Sequence, residues 1–160
     1  MKEINAVVEE NGPIIEVKLE GETNIYNQTP EQIKQNLNRI LVNAQEKYKE
    51  CTEKLKNGSM SWYPCGFASL YVDPDHAKIL KKTVLKALDS ENGNRGLIWK
   101  FDGLVFEECK PYKSRKTIEI DFMALHSHQE LNLKEQVLST IRNVFAQVFG
   151  LSSNLETMLD

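Results

Sequence analysis

Apolar residues recur along the middle of the chain at two spacings, and these spacings predict its elements. Ile33, Leu37, Ile40, Leu41, Ala44, Tyr48, Cys51 and Leu55 return every three or four residues, with Glu, Lys and Asn between them, the pattern of a helix with one apolar face. Thr29 before Pro30, with Gln32 three residues after Thr29, supplies a capping box and a first-turn proline, and Asn57-Gly58 supplies the stop. The predicted helix runs from about 29 to 57 and is about 40 Å long at 1.5 Å per residue. Asp73-Pro74 opens a second helix in the same way, with Ala77, Leu80, Val84, Leu85 and Leu88 turned inward and Lys78, Lys82 and Lys86 as a solvent stripe. A third helix carries Leu133, Val137, Ile141, Val144, Phe145 and Val148 to Gly150, with Asn132 as its cap and Glu135 three residues on.

Strands are predicted where the period falls to two or where β-branched and aromatic residues cluster. These are an opening segment through Ile14, Ile15, Val17 and Leu19, then Phe67–Val72, Gly96–Phe101, Gly103–Phe106, Thr117–Leu125 and a short tail strand at Leu155–Leu159. Asp102-Gly103 is a hairpin turn signal. The Asn/Gly/Ser clusters at 57–61 and 90–96 read as loops. The order β-α-β-α-β-β-β-α predicts one α+β domain over residues 1–160, with three helices packed on a mixed or mainly antiparallel sheet.

Composition changes this picture little. The 160 residues are 41% hydrophobic and 27% charged, enough apolar surface for a core without metal or disulfide staples. Twenty Lys/Arg against 23 Asp/Glu give −3, too mild for a chain that coats nucleic acid. Residues 71–120 hold ten basic and eight acidic residues, a relatively basic middle that suits a small anionic ligand. Cys51, Cys65 and Cys109 fit neither a paired framework nor a zinc knuckle. They are expected to be reduced thiols of a cytoplasmic protein. No leader-like h-region and no membrane span is expected.

The chemistry-bearing residues are few. Cys65, between Pro64 and Gly66, reads either as a turn thiol near backbone amides or as a small apolar residue at a strand start. His126 and His128 fall on one face if the strand before them continues, with Asp121 on the other. Two imidazoles do not make a zinc site, and a third ligand would have to come from Cys65 or His76, so no metal and no cofactor is assigned. A Cys65/His126 or Cys65/His128 dyad is the concrete enzyme reading, a hydrolase or transferase. No phosphate loop, nucleophile elbow or paired-carboxylate signature accompanies it. Lys110, Tyr112, Lys113, Arg115 and Lys116 form a basic loop in which a ring lies between cations, a combination that suits a phosphate and a base; the acidic balance of the chain favours a solvated loop instead. Trp62, Tyr63 and Trp99 either line a ligand pocket or fill a core. The breadth of the first helix's apolar face points to a self-associating surface.

Trp62-Tyr63-Pro64-Cys65-Gly66-Phe67-Ala68 resembles the W-Y-P-C-G-F-A-W-V core of a family of small uncharacterised bacteriophage proteins. Gln129 and Lys134-Glu135 ahead of the last helix are similar to that family's Q-S-M-x-x-K-E segment, and Leu159-Asp160 to its closing L-D. Ser69-Leu70 replaces W-V, Glu130-Leu131 replaces S-M, and Val137–Ile141 is bulkier than the family's small-residue helix. The resemblance spans about Ser61 to Asp160. It implies a phage or prophage accessory protein and supplies no catalytic residues. The expectation is therefore a non-enzymatic, homo-oligomeric binder of a host macromolecule or a small anionic, nucleotide-like ligand, acting against host defence.

Overall fold

A computed structural model describes residues 25–111 and 114–159. The opening strand expected at 14–19 lies outside them, as do Tyr112 and Lys113 of the basic loop. The elements are α1 (Pro30–Lys56), β1 (Gly66–Val72), α2 (Pro74–Lys82), β2 (Ser90–Asn92), β3 (Leu97–Phe101), β4 (Leu104–Cys109), β5 (Thr117–Phe122), α3 (Leu131–Phe149) and β6 (Ser153–Leu159). The fold is α+β. The strands form one sheet of order β2-β3-β4-β5-β1-β6, and every pairing is antiparallel.

Helix α1 follows from its cap. Thr29 Oγ1 accepts from the Gln32 amide at 3.1 Å and Gln32 Oε1 accepts from the Thr29 amide at 2.8 Å, so two donors that the first turn cannot satisfy are paired. At the other end Gly58 takes φ 80°, a conformation open to glycine at no steric cost. The apolar stripe of α1 packs on α3, and α3 lies across β1 and β6.

The strand registers line up one row of side chains under the helices: Trp99, Phe106, Ile120, Leu70 and Leu155, from β3 to β6. All but Leu155 are buried. The next row, on the opposite face, is Ile98, Glu107, Glu119, Tyr71 and Asn154. The period of two thus separates a core face from an open face. On the open face Glu107 and Glu119 are directly opposite, an unfavourable pair. Arg95 lies between them at 2.9 and 2.6 Å and offsets the repulsion.

Four expectations need correction. The second helix ends at Lys82 and resumes as a 3₁₀ turn, Leu85–Ala87, because Thr83 Oγ1 donates to the Ile79 carbonyl at 2.6 Å and its backbone leaves the helical track. Ser90–Asn92, read as loop, pairs with β3. Strand β5 stops at Phe122, and Met123–Ser127 coil into a 3₁₀ helix. His126 and His128 therefore do not share a strand face, and Asp121 is beside His126, not opposite it. Helix α3 begins at Leu131 with Glu130 in the cap position, so Asn132 is inside the helix and caps nothing.

Candidate functional site

The loop before β1 is stitched to the start of α3. The Gly66 amide donates to the Gln129 carbonyl at 3.0 Å and the Leu131 amide to the Pro64 carbonyl at 3.1 Å. Glycine at 66 is required here, because a Cβ would stand 2.4 Å from the Met158 carbonyl oxygen of β6. This close approach accounts for the glycine of the W-Y-P-C-G-F-A segment. Its large side chains point outward: Trp62 is 58% exposed, Tyr63 76% and Phe67 59%.

Besides a hollow of about 650 Å³ between Tyr63, Pro64, Cys65 and Leu159, two concavities flank the segment. The first, about 850 Å³, is lined by Met60, Trp62, Tyr63, Cys65, Ser127 and Glu130. The second, about 440 Å³, opens on the solvent face of the sheet beside Phe67, Ser69, Asp121, His126, His128 and Lys134. The Cys65 thiol donates at 3.9 Å to the Trp62 carbonyl and faces the first. The imidazoles face the second and are held by other groups. His126 Nε2 pairs with Asp121 Oδ2, whose companion Oδ1 accepts from the Phe122 amide at 2.8 Å. His128 Nδ1 is 3.2 Å from Glu130 Oε2, and its Nε2 is 2.7 Å from the Tyr48 hydroxyl. A carboxylate only accepts, so Nδ1 carries a hydrogen, and in the neutral imidazole Nε2 accepts from the Tyr48 hydroxyl. The structure does not bring Cys65 together with either histidine.

Lys134, in the first turn of α3, donates to the Gly66 carbonyl at 2.9 Å and lies 5.2 Å over the Phe67 ring, a cation–π contact worth about 0.5–1 kcal/mol at an exposed site. His76 is elsewhere, its Nδ1 accepting from the Ser152 amide at 3.0 Å. Among the described residues no group of three or more His, Cys, Asp or Glu side chains is placed to hold a metal ion. Trp99 is buried in the core and lines neither concavity.

Two cations of the basic loop face carboxylates of the chain. Arg115 pairs with Asp75 at 2.9 Å and Lys116 approaches Glu108 at 3.9 Å, while Lys110 is exposed. Glu108 is buried and also takes Lys81 at 2.7 Å and the Leu97 amide at 2.8 Å. Burial alone would raise its carboxyl pKa, but the ammonium and the amide outweigh burial and hold it below the ordinary carboxylate value. Burial pushes the Cys109 thiol up to about 11 and also raises Cys51, which removes both as thiolate nucleophiles at neutral pH.

Sequence reasoning missed Tyr48 as a polar group, Glu130 as a carboxylate partner and Arg95 altogether. Tyr48 and Arg95 act through residues distant in the chain, whereas Glu130 meets His128 two positions away, in a turn that the apolar run before it concealed. No helix among the described residues is long and apolar enough to cross a membrane. Comparisons with protein-family models, with curated proteins and with solved structures found no match.

Proposed function

We propose that this chain is a non-enzymatic binding protein that docks a macromolecular partner through Trp62 and Tyr63 at the mouth of the 850 Å³ concavity. One observation carries this reading: two large aromatic side chains are held 58% and 76% exposed on a loop tied down at both Pro64 and Gly66. Exposed aromatic anchors on a pre-organised backbone are what a binding hot spot requires, since little ordering entropy is lost on docking. The resemblance of residues 62–68 to a phage protein core favours a phage accessory protein in the host cytoplasm, with a host protein, such as a defence component, as partner. A small anionic ligand has less support, because Arg115 and Lys116 already face carboxylates.

The test is retention from host lysate on immobilised protein, read by quantitative mass spectrometry for proteins and small molecules. Wild type should retain a defined protein that the Trp62→Ala/Tyr63→Ala variant releases. Identical retention by both overturns the reading. A second reading rests on the carboxylate-held imidazole of His126 in the smaller cleft, an arrangement suited to proton transfer in a hydrolase or transferase. Turnover in a substrate screen that His126→Ala abolishes and Cys65→Ser spares would select it.

A further inference from the structure

Strand β6 ends the sheet, and among the described residues nothing pairs with its outer side. Which of its backbone groups face outward follows from β1. The Gly66 amide donates toward Gln129 and the Val72 carbonyl accepts from Thr117 Oγ1, so the even-numbered residues of β1 point their backbone groups away from β6. The groups that reach β6 are then those of Phe67, Ser69 and Tyr71, opposite Met158, Glu156 and Asn154. By alternation, Ser153, Leu155, Thr157 and Leu159 direct their N–H and C=O groups to the open edge.

This edge is lightly protected. Ser153–Leu159 contains no Pro and no Lys and one charge, Glu156, while Met158 and Leu159 are 68% and 66% exposed. The opposite edge of the sheet is the three-residue β2, whose Glu91 is paired with Lys100.

We propose that the open edge of β6 receives β6 of a second copy of this chain, antiparallel, with the two-fold axis passing at Thr157. The sequence of the strand selects this occupant and this register. Opposite residues of an antiparallel pair share a face, so a symmetric pairing is centred on one residue. Centring on Glu156 sets two carboxylates directly opposite, which is unfavourable. Centring on Leu155 leaves Met158 and Leu159 uncovered. Centring on Thr157 places Glu156 against the partner's Met158 and Leu155 against the partner's Leu159, with the two threonines facing each other. Leu155, Thr157 and Leu159 are also the residues with outward backbone groups, so the same register closes the hydrogen-bond ladder. The product is a sheet of twice the strands, continuous through the axis. The edge adjoins the aromatic segment at Leu159, which lines a concavity with Tyr63, but the strand pairing does not depend on the function proposed for Trp62 and Tyr63.

A five-residue strand pair is a small interface, so assembly is expected in the range of roughly 10–100 µM. Sedimentation equilibrium of the full chain across that range should show the mass doubling. Thr157→Pro removes an outward N–H and leaves the β1 ladder intact; it should be monomeric throughout with an unchanged melting temperature. Met158→Lys sets an ammonium opposite the partner's Glu156 and should tighten the dimer several-fold at low salt, with the gain lost at 1 M salt. A wild-type monomer at every concentration overturns the proposal, whether its Thr157 amide exchanges fast or is protected by the chain's own residues. A dimer that a folded Thr157→Pro variant retains, or that Met158→Lys weakens, overturns it as well.

Discussion

Replacing Gly66 by alanine tests the geometry that ties the segment at 62–68 to the end of the chain. The added Cβ would meet the Met158 carbonyl oxygen at 2.4 Å and the Leu159 Cα at 3.3 Å. Unstrained non-bonded contacts lie at roughly 3.5 Å, so β6 has to retreat by about 1 Å, because the obstruction is backbone and has no rotamer to change. That retreat breaks the two hydrogen bonds of the Phe67–Met158 pair, worth about 0.5–1.5 kcal/mol each. The expected destabilisation is about 1–3 kcal/mol, the same range as overpacking in a core. For a chain of this size each kcal/mol lowers the melting temperature by about 2–4 °C. Thermal unfolding followed by circular dichroism should fall by roughly 2–12 °C, and amide exchange should accelerate at Met158 while Leu70 stays protected. A melting temperature within about 1 °C of wild type, with Met158 exchange unchanged, would refute the close approach and the explanation of the glycine.

Three further outcomes follow from the packing. Glu108 has its carboxyl pKa lowered in the folded state, so its stabilisation is complete above the ordinary carboxylate value and is lost as pH falls through the folded value. Urea midpoints should show Glu108→Gln less stable by about 1–3 kcal/mol at pH 7, with the gap closing below about pH 4; a gap independent of pH refutes the ion pair with Lys81. Tyr48→Phe removes the hydroxyl bonded to His128 Nε2 and should cost about 1 kcal/mol, with a double-mutant cycle against His128→Ala reading the coupling; additive single effects would exclude the bond. Maleimide labelling at pH 7 should modify Cys65 well before Cys51 and Cys109, which are buried and raised in pKa; simultaneous labelling of the three thiols in folded protein would contradict their burial.

The parts of the fold legible in the sequence are those in which neighbours decide conformation. Thr29-Pro30 and Gln32 form a complete cap, and the three-to-four spacing after them is buried as read except at Tyr48, which is half-buried. The alternation through Ile118 and Ile120 gives a strand with those residues inward. What was not legible depends on partners far along the chain. Ser90-Glu91-Asn92 has no apolar residue, and pairing with β3 alone makes it a strand. Met123-Ala124-Leu125 continues the apolar run past Phe122, so composition conceals the point where the strand coils, and with it the meeting of His126 and Asp121. In the candidate site Trp62 and Tyr63 stand on a concavity rim. Tyr48 was legible as a member of a helical stripe, but its hydroxyl bond to His128, 80 positions away, was not. The apolar face of α1, read as a self-associating surface, belongs to the core, and none of the exposed large hydrophobic residues lies on α1.

The position of β1 in the sheet also governs the order in which the molecule can be built. Its neighbours are β5 and β6, so the first strand among the described residues is flanked by strands made much later. During translation β1 leaves the ribosome with both edges unpaired, alongside α1, which can form from local contacts alone. Its Phe67-Ala68-Ser69-Leu70-Tyr71-Val72 run has the composition that aggregates when left open. Closure must await Ser153–Leu159, so folding depends on long-range pairing and is expected to be slower than that of a helical bundle. The nascent chain is therefore where β1 stands without its partners.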